Sequence, residues 1–563
     1  MSTWWKEAIV YQIYPRSFYD SNGDGIGDIN GITQKLTYLK KLGINVIWIC
    51  PTYQSPMSDN GYDISDYYQM DPLFGTNEDL YQLIEEAKKL DIKLIMDLVV
   101  NHTSDEHEWF KDLQRNPDSK YKDYYILKEG NNGHPPNNWR SLFGGSAWEK
   151  LDNSDLYYLH LFGKHQPDLN WENDKLREEI VEMINFWLEK GISGFRIDAI
   201  SYIKKNLLLE NLPQDDVDGM CFPGPWTLNQ PGIDVFLNKL KDECFNKYDC
   251  MSVAEANVPY HKLDQFIGKN GYFDMVFDFS YADLDIPETG EAYINIPWNV
   301  ADLKKKIYVS QEETQKYGWG ALYLENHDQP RSLNKYLQKQ EINFYSSSML
   351  AGLFMMLRGT PFIYQGQELG MTNCYMETID DYRDISAFGT YERAKAAGLS
   401  EKEVMEALFR RSRDNARTPF QWDDSKNAGF SSAETTWIKI NENYTEINAK
   451  QQLEDEQSLF YFYQELIQLR TKSNYASVFC EGKFERYMED DENVISYTRL
   501  NDDKKVLIIC NFQNKESNIM LQGDYQHVLC SNYKDRVHMD INTTVQLRAF
   551  EYLILGSMSV SFK

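Results

Sequence analysis

Carboxylates stand where the apolar runs of this chain end. Asp97 closes IMD, Asp198 closes GFRID, Glu255 closes SVAE, and His327-Asp328 close LYLENHD. Arg196 and Asp198 are two residues apart, so on a strand they share a face and the guanidinium can lie beside the carboxylate. An adjacent Arg favours the ionised carboxylate, which suits a nucleophile. One Arg–Asp pair is most often a structural ion pair, and one His-Asp a cap or turn. Four run ends that each offer a carboxylate to one mouth are harder to read as scaffolding. No Cys/His metal spacing accompanies them, and aromatic residues make up 14% of the chain. That combination fits glycosyl transfer, in which one carboxylate attacks the anomeric carbon and another protonates the leaving oxygen.

A second constellation is Asp20-Ser-Asn22-Gly-Asp24-Gly-Ile26-Gly-Asp28. Oxygen-bearing side chains at alternate positions, with glycines for a sharp turn, mimic the first half of an EF-hand loop. No Glu occupies the twelfth position, so it is not an EF-hand. The spacing leaves open a bound cation or a solvated Asp/Gly turn.

The elements that must position these groups repeat along the chain. Eight apolar runs, Ile9–Tyr14, Val46–Pro51, Lys93–Val100, Gly194–Ile200, Met251–Glu255, Met275–Phe279, Ala321–Glu325 and Pro361–Gln365, alternate with amphipathic stretches such as Glu78–Leu90 and Lys175–Lys190. Eight strands alternating with helices predict an α/β fold, a (β/α)8 TIM barrel with its chemistry at the strands' C-terminal ends. The barrel is expected over residues 1–100 and 171–481, with an elaborated segment at 368–448. Residues 101–170 are too long for a structureless loop and predict a small inserted domain over the mouth. From residue 482 to 563, short alternating runs between Asn, Asp and Gly predict a C-terminal antiparallel β-sandwich.

Composition narrows the function further. With 58 basic against 86 acidic residues, the formal charge is −28. Such a field repels phosphate backbones and anionic lipid, so neither nucleic acid nor membrane is an expected partner. The opening MSTWWK carries no apolar signal region, and the longest apolar run, Met349–Leu357, is far short of a span of ~20 residues. Eight cysteines without a C-x-x-C pair read as reduced thiols, and the expected location is cytoplasmic.

Six motifs in order make the sequence recognisable: DLVVNHTSDEH (97–107), QPDLNW (166–171), GFRIDAI (194–200), ENHDQPR (325–331), GTPFIYQGQELGM (359–371) and RDNARTPFQWD (413–423). The chain resembles the α-amylase superfamily of glycoside hydrolases, within the oligo-1,6-glucosidase, α-glucosidase and dextran glucosidase group. The resemblance implies a retaining exo-α-glucosidase acting on short gluco-oligosaccharides. Asp198 is then the nucleophile, Glu255 the general acid/base, and Asp328 a third carboxylate gripping substrate hydroxyls. Asp59, Tyr62, His102, Phe162, Gln166, Arg196, His327 and Arg413 would line the pocket for the terminal glucose, with Asp59 and Arg413 closing its floor. Ala199 would border the leaving sugar; in related enzymes a Val here goes with α-1,6 cleavage, and a smaller or polar residue with α-1,4. The expected preference is therefore α-1,4 links, with α-1,6 also accepted. The loop is implied to hold a structural Ca2+ through Asp20, Asn22, Asp24, the Ile26 carbonyl and Asp28. A monomer is expected. Sucrose isomerases and trehalose-6-phosphate hydrolases share the pattern, as do non-catalytic transporter subunits, which have lost the carboxylates and carry a membrane anchor.

Overall fold

Short apolar runs buried on both faces are what a parallel sheet covered by helices requires. The computed structural model of the chain describes residues 3–562 apart from positions 117, 153, 217, 288, 289, 503, 538–542 and 559. Eight parallel strands close a barrel: β1 (Val10–Ile13), β2 (Val46–Ile49), β3 (Lys93–Val99), β4 (Gly194–Asp198), β5 (Met251–Ala254), β6 (Met275–Phe277), β7 (Trp319–Leu322) and β8 (Thr360–Tyr364). Each strand pairs with its sequence neighbours, and β8 closes on β1. Each coincides with an expected run. Only β7 begins clearly earlier, at Trp319, which pairs with Met275 of β6.

Register places the chemistry. Asp97 of β3 lies opposite Arg196 of β4, and Val99 opposite Asp198. Arg196 also lies opposite Val253 of β5. Because side chains alternate along a strand, Asp97, Arg196 and Asp198 all face the barrel axis.

The helices begin and end on local chemistry. Helix α1 (Ile29–Leu42) is capped by Asp28, whose Oδ1 accepts the Gly31 N–H at 2.6 Å. It stops at Gly43, whose φ of 108° is left-handed backbone that glycine tolerates. A Thr76–Asp79 capping box opens α2 (Asn77–Lys89). Asn173 caps α3 (Asp174–Glu189).

Between β3 and α3, the strands Leu127–Glu129, Trp148–Lys150 and Leu156–Leu159 form an antiparallel sheet. Its own apolar cluster includes Trp139, Trp148, Leu159 and Leu161, joined by Leu209 and Cys221 from beyond β4. Arg140 fastens the two segments through Asp215 and Asp218, at 2.8 and 2.6 Å.

The apolar run at 349–357 falls mostly in α4 (Phe344–Met355), which is buried almost all round. Gly352 lets it approach the C-terminal sheet, since a Cβ there would lie 2.3 Å from the Tyr552 ring. Among the described residues no helix is long and apolar enough to cross a membrane. Helices α5 (Ile385–Ala396) and α6 (Glu401–Arg411) follow β8 and share a small cluster of their own.

The C-terminal strands are β9 (Lys483–Tyr487), β10 (Val494–Leu500), β11 (Lys505–Asn511), β12 (Ser517–Met520), β13 (His527–Ser531), β14 (Thr544–Leu547) and β15 (Tyr552–Gly556). Five form an antiparallel sheet in the order β9-β10-β11-β15-β13, and β12 pairs with β14. Val494, Leu507, Ile509, Ile519, Val545 and Leu555 fill the space between the two layers, which makes a sandwich. Two fully buried arginines stand at its junction with the barrel, and Arg499 spans it. Arg499 of β10 donates to the carbonyls of Met356, Val478, Phe479 and Gly482. Arg470 donates to those of Met355, Leu357 and Gly359.

Candidate active site

Arg196 is the hub. Its Nη1 donates to Asp97 Oδ1 at 2.7 Å and to Asp198 Oδ1 at 2.5 Å, and its Nη2 lies 2.8 Å from Glu255 Oε2. Glu255 follows directly on β5, and its backbone N–H is fixed on the Ile197 carbonyl at 2.9 Å. Asp97 is fully buried behind the guanidinium, accepting also from Trp48 Nε1 and Tyr62 Oη. One cation thus holds three carboxyl groups in low dielectric.

Burial shifts these groups apart from ordinary carboxylates. It pushes Asp198 up to about 6 and Glu255 up to about 7, with Arg196 pulling both back down. A carboxylate and a carboxylic acid can therefore coexist near neutrality. Asp328 goes the other way. Burial alone would raise it, but His327, Arg413 and Arg417 outweigh that and hold it well below the usual range. Arg417 Nη2 stands 2.8 Å from Asp328 Oδ1, and Arg413 Nη1 3.2 Å.

His327 is kept neutral, burial driving it down to about 3. Its tautomer follows from the network: Nδ1 accepts from Gln12 Nε2 at 2.7 Å, so Nε2–H faces Tyr62 Oη at 2.6 Å and Asp328 Oδ2 at 3.0 Å. Tyr62 stacks on the imidazole with 9° between the rings.

Arg413 closes the floor. It pairs with Asp59 at 3.0 Å and with the buried Asp384 at 2.5 Å, and Gln166 Nε2 donates to Asp59 from behind at 3.1 Å. His102, lowered by burial to about 4, sits on the Tyr62 carbonyl, and Phe162 packs 5.1 Å from its ring.

The cavity above this floor measures about 280 Å³, at the small end for a ligand site. Asp59, Tyr62, His102, Phe162, Asp198, Ala199, Glu255, Asp328 and Arg413 all line it. Gln166, Arg196 and His327 stand directly behind, in contact with lining residues. The structure thus brings together every residue expected here. It adds Tyr202, Asn257, Phe279, Asp283 and Gln329 on the upper walls. Arg417 and Asp384 were also missed. Arg417 lies inside the RDNARTPFQWD motif and could have been found there; Asp384 carries no sequence signal.

The Asp20–Asp28 loop lies apart from this cavity. Asp20 accepts the N–H groups of Asn22, Gly23 and Gly25, Asn22 Oδ1 accepts that of Asp24, and Asp24 that of Ile26. Asp28 is engaged in capping α1. Among the described residues none of the three aspartates pairs with Lys or Arg, and no three His, Cys, Asp or Glu side chains group as a metal cluster. The donors on offer are oxygens only, which fits a hard cation and no soft one.

A parallel barrel that presents three carboxylates at or just beyond its strands' C-terminal ends, two of them on one buried Arg, defines a (β/α)8 glycoside hydrolase. Residues 12–478 match the α-amylase catalytic domain, and the chain belongs to that family. It is 47% identical to an oligo-1,6-glucosidase of Parageobacillus thermoglucosidasius, over 94% of this chain and 95% of that one. A point variant of the Bacillus licheniformis trehalose-6-phosphate hydrolase superposes with a TM-score of 0.91 at 42% identity, covering 99% of this chain and 100% of its own. A trehalulose synthase variant solved with Tris gives 0.94 at 39% identity, covering 99% and 100%.

Proposed function

We propose that the protein is a retaining exo-α-glucosidase that releases glucose from the non-reducing end of short α-gluco-oligosaccharides, cleaving α-1,4 links and accepting α-1,6 links. The observation that carries this is the single guanidinium shared by Asp198 and Glu255 above a floor closed by Asp59 and Arg413. Asp198 attacks the anomeric carbon from one face and forms an ester, while Glu255 gives its proton to the departing oxygen. Glu255, now a base, takes a proton from water, which displaces Asp198 at the same carbon. Two inversions leave the α configuration unchanged. Asp328, held ionised, accepts hydrogen bonds from ring hydroxyls as the oxocarbenium-like charge develops. Asp59 and Arg413 bind the terminal 4-hydroxyl and stop a longer chain from passing through.

The names of the relatives favour α-1,6 links, whereas Ala199 leaves room for α-1,4. Trehalose 6-phosphate is a poorer fit, because Arg413, on the floor, is the one cation among the described residues lining the cavity. The Asp20–Asp28 loop would hold Ca2+ through Asp20, Asn22, Asp24, the Ile26 carbonyl and Asp28, as a structural ion that takes no part in bond cleavage. Eight cysteines without a disulfide agree with a cytoplasmic, reducing location.

Screening maltose, isomaltose, sucrose and trehalose 6-phosphate, with NMR of the released sugar, tests the reading. Maltose and isomaltose should each give α-glucose first. Turnover of trehalose 6-phosphate alone would overturn it.

A further inference from the structure

The end of the barrel opposite the carboxylates holds a second and larger cavity, of about 730 Å³. It opens where β5, β6 and β7 begin, beside the short helical turn Trp4–Glu7. Lys6, Lys241, Lys269, Lys316 and Arg358 border it. That is an unusual gathering in a chain of formal charge −28. The one carboxylate on its walls, Asp274, is engaged by Trp5 and by Ser252, whose N–H and Oγ it accepts at 2.8 and 3.0 Å.

The cations are not equally engaged. Lys316 pairs with Glu313, and Lys241 donates to the Asn270 carbonyl. Arg358 and Lys6 meet no carboxylate among the described residues. The Arg358 guanidinium donates to the Gly318 carbonyl at 2.7 Å and lies 4.6 Å from the centre of the Trp319 ring. Burial lowers it to about 10, with no counter-charge offsetting that. Lys6 Nζ lies 5.6 and 5.5 Å from the centres of the Trp5 and Trp319 rings. Two partly desolvated cations thus converge on one indole, beside a cavity in the size range of small-molecule sites. A guanidinium with N–H groups to spare suits phosphate oxygens. Tyr272, half-buried on the wall, adds flat apolar surface for a ring.

We propose that this cavity binds a phosphomonoester carried on a ring, either a sugar phosphate or a nucleoside monophosphate, at a site separate from the catalytic pocket. Occupation would place the missing negative charge between Lys6 and Arg358.

Isothermal titration of the full-length protein with glucose 6-phosphate, AMP, inorganic phosphate and glucose tests this. Saturable binding of glucose 6-phosphate or AMP, undiminished by excess glucose, is expected, and whichever binds tighter identifies the ring. Arg358→Gln and Lys6→Gln should each weaken it at least tenfold, with maltose turnover unchanged. Lys6 is partly exposed, so its variant serves if Arg358→Gln does not fold. Binding that survives both substitutions, that glucose displaces, that inorganic phosphate matches in affinity, or that is absent for every probe overturns the proposal.

Discussion

Ala199 donates its backbone N–H to Glu255 Oε2 over 3.1 Å while holding a left-handed backbone, φ 44° and ψ 31°. The residue after the proposed nucleophile therefore helps aim the proposed acid/base. Left-handed backbone costs a non-glycine residue roughly 1–2 kcal/mol, and more if it is β-branched.

Ala199→Val should consequently do two things. Its methyls would narrow the side proposed for the leaving sugar, where an α-1,6 link with its extra rotatable bond adapts better. The isomaltose-to-maltose ratio of kcat/KM should rise by ~10-fold. The melting temperature should fall because Val is strained at this φ. An unchanged ratio would place linkage selectivity in the upper walls instead.

The proposed mechanism needs Asp198 ionised and Glu255 protonated. With Asp198 at about 6 and Glu255 at about 7, kcat/KM should be bell-shaped with a narrow maximum between them. Glu255→Gln should remove the alkaline limb when a nitrophenyl glucoside is the substrate. Stability follows a different sign. Buried carboxyls whose folded pKa is raised, Glu368 at about 7 among them, favour the fold below about pH 4.5, and that contribution is lost as pH rises through about 7. The melting temperature should decline from about pH 5 to about pH 8; a rise across that window would contradict it.

Asp198→Asn should abolish turnover on every substrate. Glu255→Gln should cost most with poor leaving groups, since good ones need no proton. A β-anomeric first product would sink the retaining mechanism.

Asp384 touches Arg413 and lies outside the cavity lining. Asp384→Asn should loosen Arg413 and raise KM by roughly 10-fold with kcat little changed, the pattern for lost uniform binding. A pure fall in kcat would mean that Asp384 acts in the chemistry.

Chelation should lower the melting temperature without directly slowing the reaction, because a ligand of the folded state stabilises it by RT ln(1 + [L]/Kd). Asp24→Ala should reproduce the effect. Elemental analysis showing no bound calcium, with an unmoved melting curve, would leave the loop a plain Asx turn.

Most of the barrel was legible because a strand buried on both faces must be a short apolar run, as KLIMDLV and GFRID are. The site was legible because its groups follow those runs within a few residues, so Asp97, Asp198 and Glu255 could be placed by register. Asp384 was not, since it reaches Arg413 from the turn before α5, where no periodicity constrains the chain. The Lys6–Arg358 cavity escaped for a similar reason. Its residues precede the strands, scattered over more than half of the sequence, and nothing local marks them as neighbours.

Arg470 and Arg499 have a bearing on modularity. Their guanidiniums replace water at carbonyls around the end of α4 and just beyond it, and Arg499 belongs to the sandwich itself. Cutting the chain at residue 481 would leave Arg470 in place but strip the Met356, Val478 and Phe479 carbonyls of their Arg499 donor, and bare an almost wholly apolar helix. The two halves are thus mutually obligate, and calorimetry should record a single unfolding endotherm where two independent modules would give two.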